Sequence, residues 1–203
     1  MAGRIVLFGA TGYTGELTAR ALVARGAAPV LAGRTRERVE ALGRELGGLG
    51  TAVADVARPD SVHALVQRGD VLVSTVGPFG RWGAPAVQAA IAAGAHYLDS
   101  TGEPPFIRDV FERHGPAAEA AGCGLVTAFG YDWVPGNLAG ALALRDAGPG
   151  AARVDVGYFI TGTGRGQAFS RGTLTSLLGV ATEPVYAWRG GVLRTEAAGV
   201  RLR

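Results

Sequence analysis

Lysine is absent: all 20 basic residues are arginine. This excludes a Schiff-base lysine, a phosphate-binding P-loop lysine and a Tyr-x-x-x-Lys catalytic pair, so any proton donor must be of another kind. Cys123 is the lone cysteine. It rules out an internal disulfide and a cysteine-built metal site and fits a reducing cytoplasm, the location expected here. His63, His96 and His114 show no metal-ligand spacing and read as structural, so no metal is expected. No apolar run approaches the roughly 20 residues of a membrane span. The first residues lead directly into an apolar strand, so no secretory signal is expected. The net charge of +3 is small and the arginines are scattered, which makes no case for nucleic acid and suits an anionic small ligand. What is present is a chain of 203 residues, 48% hydrophobic, long enough to bury a large core.

Residues 4–15, RIVLFGATGYTG, carry the strongest signal. Ile5, Val6, Leu7 and Phe8 suit a strand buried on both faces; Gly9, Gly12 and Gly15 break it, and a helical pattern runs over 16–25. Strand, glycine turn and helix in that order make a diphosphate cradle. The glycines let the backbone turn and approach a pyrophosphate, and the helix N-terminus turns its N–H groups to the anion. The spacing is G-x-x-G-x-x-G, and the flanking strand and helix lie where the mechanism needs them. A second short strand over 29–32 ends in Gly33-Arg34-Thr35-Arg36. An acid at this place would hold a ribose 2′-OH, whereas arginine suits a 2′-phosphate. Arg34 and Arg36 stand at the start of the next helix, where cations oppose the helix dipole, so a phosphate partner explains them better than helix stability does. Tyr13 either stacks on the ligand or packs on the first helix.

Short apolar runs and helical stretches go on alternating. Strands are predicted over 51–54, 70–76, 96–99 and 124–128, and helices over 36–46, 59–67, 84–93 and 104–121. This predicts a doubly wound parallel sheet, whose ligands sit outside the carboxyl ends of the strands. Those ends supply the remaining candidates. Asp55, with the N–H of Val56, is either an adenine contact or a turn residue. Val76 and Gly77 pass close to a ribose and nicotinamide or form an ordinary turn. Thr101 and Glu103 either orient a polar substrate group or belong to an Asx turn and helix start. Residues 130–136, GYDWVPG, put Tyr131 and Asp132 where substrate should meet a nicotinamide, or else form an aromatic plug. Beyond residue 131 the pattern changes to a helix over 134–145, an exposed strand over 153–161, a helix over 171–180 capped by Ser170, and a hairpin of 185–188 with 192–195. So small a layer is weakly stable alone and is expected to pair with a second subunit, as a homodimer, or with further chain.

The segments GATGYTG (9–15), LAGRTRERVEAL (31–42), DVLVSTVGPFGRWG (70–83), GAHYLDSTGE (94–103) and FGYDWVPGNL (129–138) together resemble the saccharopine dehydrogenase-like oxidoreductases, and within them the trans-acting enoyl reductase branch. The main later match is SRGTLTS at 170–176. The resemblance implies an α/β fold: a Rossmann-type doubly wound parallel sheet over 1–132 that binds NADP(H). A smaller α/β domain over 133–203, partial at this length, would follow and contribute substrate contacts and dimerisation. Implied cofactor contacts are Gly9, Thr11, Gly12, Tyr13, Thr14, Arg34, Asp55, Val76 and Gly77, to which the residue pattern adds Gly15 and Arg36. Where the family often has Gly-Phe-Asp-Ser-(Val/Ile)-Pro-Ser-Asp, this chain has Gly130-Tyr131-Asp132-Trp133-Val134-Pro135-Gly136-Asn137, which leaves the substrate class open. Two functions follow. One is an NADPH-dependent reductase of a C=C, C=O or C=N bond in a small-molecule or acyl substrate, with Tyr131 or Asp132 as proton donor. The other is a non-catalytic NADP-binding sensor or scaffold. A sugar-nucleotide or lipid modifier that uses NADP without net redox change is a third, weaker reading.

Overall fold

The computed structural model describes residues 3–131, 133–151, 153–157, 185–189 and 192–196. Six strands, β1 (Ile5–Phe8), β2 (Val30–Gly33), β3 (Thr51–Val53), β4 (Val71–Ser74), β5 (His96–Asp99) and β6 (Leu125–Val126), form one sheet in the order β3-β2-β1-β4-β5-β6. Every pairing in it is parallel. The crossovers contain α1 (Tyr13–Ala24), α2 (Arg36–Glu45), α3 (Pro59–His63), α4 (Phe79–Trp82), α5 (Ala84–Ala93), α6 (Pro104–Asp109) and α7 (Gly115–Ala121). A π turn, Val110–His114, joins α6 to α7. The helix expected over 104–121 is therefore continuous in the chain and changes its hydrogen bonding midway. After β6 comes α8 (Val134–Ala147), and a separate antiparallel hairpin is formed by β7 (Val185–Arg189) and β8 (Val192–Glu196).

Burial on both faces explains the unbroken apolar runs. Val6 and Phe8 join Val62, Leu72, Val87, Tyr97 and Phe106 on one side of the sheet, while Leu7 joins Ala19, Leu31 and Leu42 on the other. A strand covered on both faces has no reason to alternate with polar residues. Ala86, Ala89 and Ala90 of α5 are fully buried, and their small side chains let the helix lie close to its neighbours. Asp70, buried at the entrance to β4, accepts hydrogen bonds from the Arg4 N–H (2.8 Å), Arg4 Nη2 (2.5 Å) and the Gln67 N–H (3.1 Å). Burial pushes the Asp70 carboxyl up, but these donors and the Arg4 charge outweigh it and hold the group below its ordinary range.

Two features differ from the sequence reading. Phe79 packs beneath the sheet edge against Phe106, ring centroids 5.7 Å apart, and its segment forms α4 where only a turn was expected. Residues 153–157 are not a strand. Val154 and Val156 rest beside Gly140 of α8, so their alternation records a helix contact. Residues 158–161, Ser170 and the expected helix over 171–180 lie outside the described residues.

Because all six strands run the same way, the loops after them emerge along one edge. The chain proceeds from β1 outward to β2 and β3, then returns across to β4. The order therefore reverses between β1 and β4, which opens a crevice at their carboxyl ends.

Candidate functional site

Three glycines shape the first loop in different ways. Gly9 has φ +88°, and a Cβ there would stand 2.7 Å from Thr75 Oγ1 and 2.9 Å from Val76 Cγ2, so the loops after β1 and β4 touch only because it has none. At Gly15 a Cβ would stand 2.1 Å from the Gly9 carbonyl oxygen; this glycine lets α1 lie on β1. Gly12 differs from both. Its backbone is extended (φ −83°, ψ 167°), it is the N-cap of α1, and its Cβ position meets a single atom, the Gly9 oxygen at 3.3 Å. The space beside Gly12 is open, and a methyl group would partly fill it. The N–H groups of Tyr13, Thr14 and Gly15 have no hydrogen-bond partner among the described residues. An open approach to unpaired N–H groups at the positive end of a helix fits a diphosphate. Tyr13, the first residue of α1, is 75% exposed.

The end of β2 adds the cationic side. Arg34 is exposed and makes no hydrogen bond or ion pair among the described residues. Arg36 is turned to Glu40, 3.4 Å away along α2, with its side chain 67% exposed. Arg38 folds back instead, and its Nη2 donates to the Thr11 carbonyl at 2.9 Å. Thr11 Oγ1 in turn lies 3.5 Å from where a Gly33 Cβ would stand. Thr11, Gly33, Arg34 and Arg38 thus share one corner of the crevice. At the end of β3, the Asp55 N–H donates to Ser61 Oγ (2.9 Å) and Asp55 Oδ1 accepts from the Ala57 N–H (3.0 Å). The turn role of Asp55 is therefore real, and its Oδ2 has no partner among the described residues.

Beyond β1 lie the loops after β4, β5 and β6. Thr75 Oγ1 sits 3.1 Å from the Phe8 carbonyl and 3.2 Å from that of Gly9, fastening the two central loops together. Val76 is half-buried against the core and Gly77 is exposed at the crevice rim. Glu103 accepts the Phe79 N–H at 2.8 Å and the Gly80 N–H at 2.9 Å, so its carboxylate caps α4. Thr101 is fully buried and accepts the Glu103 N–H at 3.1 Å. Both residues therefore serve the turn and the start of α4. Tyr131 stands in the turn before α8 and is 78% exposed. Asp132 lies outside the described residues.

Asp99, the last residue of β5, is buried and gathers the loop after β6. Its Oδ1 accepts the Thr101 N–H (2.9 Å) and the Ala128 N–H (3.0 Å), and its Oδ2 accepts the Thr127 hydroxyl (2.9 Å). Burial raises the Asp99 carboxyl above its ordinary range, and these donors oppose the rise. Ala128 has φ +58°, a left-handed conformation that costs a non-glycine residue about 1–2 kcal/mol. Tyr97, two residues before Asp99 in β5, is fully buried, its hydroxyl lies within hydrogen-bonding geometry of no partner among the described residues, and burial followed by the Asp99 charge pushes its phenol well up.

The sequence reading missed Arg38, and it placed Thr75 and Asp99 in the strand-end segments without seeing the contacts each makes. A signal exists for Arg38: it follows Arg34 by one helical turn, whereas Arg36 is rotated by about 200° at 3.6 residues per turn. No local signal marks the other two. His96 is structural, its Nδ1 accepting the Gly124 N–H at 2.9 Å. Among the described residues no three His, Cys, Asp or Glu side chains come together, and no helix is long and apolar enough to cross a membrane.

Comparison with known proteins follows the same outline. The profile of the saccharopine dehydrogenase NADP binding domain matches residues 5–126, the span of the six-stranded sheet. A Mycobacterium tuberculosis protein provisionally named trans-acting enoyl reductase is 40% identical over 184 residues, covering 87% of this chain and 43% of that protein. A Mycobacterium leprae trans-acting enoyl reductase is 40% identical over 140 residues, covering 66% of this chain and 34% of its own. The chain thus spans less than half the length of these curated relatives. Saccharopine dehydrogenase (L-Glu forming) from Saccharomyces cerevisiae shares the fold, with a TM-score of 0.58 at 20% identity over 70% of this chain and 30% of the yeast one. With its parallel Rossmann-like sheet and open glycine loop, this chain belongs to the saccharopine dehydrogenase family through its NADP-binding domain.

Proposed function

We propose that this chain is the cofactor-binding part of an NADPH-dependent reductase that saturates a polarised C=C bond in an acyl or other lipid-like substrate. One observation carries the reading: the opening at Gly12 faces unpaired N–H groups at the start of α1, in the same crevice as Arg34, which has no partner among the described residues. Gly12, Tyr13 and Thr14 would hold the pyrophosphate, Arg34 with Arg38 the 2′-phosphate, and Asp55 with the Val56 N–H the adenine. Val76 and Gly77 would flank the ribose and nicotinamide. The cofactor, when bound, supplies hydride. The chain's own share is to fix that hydride's direction and to deliver a proton, for which Tyr131 and Asp132 are the candidates. The name carried by the mycobacterial relatives supports C=C over C=O or C=N.

The test is NADPH oxidation with enoyl thioesters of increasing chain length, alongside carbonyl and imine controls. Tyr131→Phe or Asp132→Asn should abolish most of the turnover; if both variants keep it, the donor assignment is wrong. The 78% exposure of Tyr131 favours a second reading, an NADP-binding sensor or scaffold with no enclosed reaction centre. Tight NADPH binding without turnover of any substrate would establish that one. We further read residues 133–203 as part of a second unit that contributes substrate contacts and homodimer pairing in the cytoplasm. The exposed Leu138, Leu142 and Leu144 of α8 support pairing, and sedimentation tests it.

A further inference from the structure

We propose that Asp99 is a positioning residue: it holds the loop 127–131 in place over the nicotinamide half of the cofactor. The proposal rests on the NADP reading above and extends it to the far side of the crevice. Arg34, at the end of β2, places the phosphorylated ribose on the β2 side of β1. A dinucleotide crossing the switch point must then lay its other half over β4, β5 and β6. Asp99 ends β5, paired in register with Ser74 at the end of β4. It is therefore the last strand residue beneath that half.

The contacts from this one residue to the loop are unusually complete. Its carboxylate takes the Thr127 hydroxyl at 2.9 Å and the Ala128 N–H at 3.0 Å, and its main-chain carbonyl takes the Phe129 N–H at 2.7 Å. Three successive residues are thus fixed to Asp99. The middle one, Ala128, is the only non-glycine residue with positive φ among the described residues. Its left-handed backbone turns the chain outward, so that Phe129 is exposed just after it and Tyr131 beyond. An alanine has little preference for that conformation, so the carboxylate must impose it. Burying a carboxylate is costly, and a simple packing role would be met by an apolar residue. The Thr101 N–H at 2.9 Å completes the set and ties the post-β5 turn to the same anchor.

The experiment compares wild type, Asp99→Ala and Asp99→Asn by NADPH fluorescence titration and by amide exchange. The titration gives two numbers: Kd, set chiefly by the adenosine side, and the emission of bound nicotinamide, set by how closely that half is enclosed. Asp99→Ala should keep Kd within about twofold, since it touches none of the β1–β3 loops, and should lose most of the emission gain. Exchange at Ala128 and Phe129 should quicken about ten- to hundredfold through the lost hydrogen bonds, while amides of β1 and β4 keep their protection. Asp99→Asn should restore both, because its amide oxygen still accepts the N–H groups and the Thr127 hydroxyl can turn to accept. The proposal is overturned if Asp99→Ala retains emission and protection, or if it loses Kd and protection throughout the sheet, which would mark a merely structural role. It is overturned too if asparagine fails to restore the emission, or if wild type shows no emission gain. A wild-type chain that binds no NADPH removes the cofactor reading itself, whereas binding with an unaltered Asp99→Ala variant removes this proposal alone.

Discussion

Replacing Gly12 and Gly15 separately by alanine should divide two roles that one motif combines. At Gly15 the new Cβ would lie 2.1 Å from the Gly9 oxygen and 2.9 Å from the Ala10 Cα, backbone atoms that move only if β1 or α1 moves. Overpacking costs about 1–3 kcal/mol, and a rigid backbone puts this case at the upper end, about 3 kcal/mol or about 6–12 °C in Tm for a domain of this size. At Gly12 the nearest atom is 3.3 Å away and the extended backbone suits any residue. Alanine is a slightly poorer N-cap than glycine, but it restricts the unfolded chain, so the net change should stay within about 0.5 kcal/mol. In the proposed site its methyl group would stand where a pyrophosphate reaches the Tyr13 and Thr14 N–H groups. Losing one charge-assisted hydrogen bond there costs about 1.5–3 kcal/mol, or about ten- to hundredfold in Kd. Thermal unfolding and NADPH calorimetry on the same preparations give both quantities. Gly12→Ala should melt like wild type and bind poorly; Gly15→Ala should melt early. A Gly12→Ala chain with wild-type affinity, or with the thermal loss of Gly15→Ala, would refute the assignment of the open glycine to the ligand.

Other substitutions probe the rest of the molecule. Arg34→Ala should weaken NADPH about ten- to hundredfold and leave NADH unchanged, while Arg36→Ala, already serving Glu40, should alter neither by more than about twofold; calorimetry with both cofactors checks the pair, and equal effects on NADPH and NADH would refute a 2′-phosphate role for Arg34. Asp70 has a lowered pKa in the fold, so its stabilisation is complete above the unfolded value of about 4 and is lost as pH falls through the folded one. Asp70→Asn should therefore flatten the acid limb of the Tm–pH curve and cost about 2–3 kcal/mol at pH 7, and an unchanged limb would dismiss the Arg4 pairing as a pH-linked contact. Tyr97→Phe removes a buried hydroxyl that has no partner in hydrogen-bonding geometry among the described residues, so it should be neutral or stabilising by up to about 1 kcal/mol; a Tm lowered by several degrees would contradict this.

What could be read from the sequence was local. The β1 run, the glycine turn and α1 follow one another within a few residues, and each step has a steric reason visible in composition. The parallel sheet followed from apolar runs separated by helical stretches. The place of Arg34 at the end of β2 could be read because its position relative to the glycines is set by one strand–helix–strand unit. The unread features are contacts between distant residues: Arg38 reaches Thr11 across 27 positions, Asp99 reaches Ala128 across 29, and Thr75 reaches Gly9 across 66. Periodicity carries no information about such pairs. Glu103 was ambiguous for a related reason, since a carboxylate after a strand serves a substrate or a helix end equally well until α4 is seen. The alternation at Val154 and Val156 misled because it marks an apolar side without naming what covers it.

The Thr75 hydroxyl has a consequence for the speed of capture. It fastens to each other the two loops that a long anionic molecule must cross, so their ordering is accomplished when the chain folds and not when the visitor arrives. In the proposed site, entry over these two loops should then need no slow clasping of one to the other and should be governed by diffusion toward an arginine-bearing rim. Salt, by screening that rim, should slow arrival far more than it hastens departure.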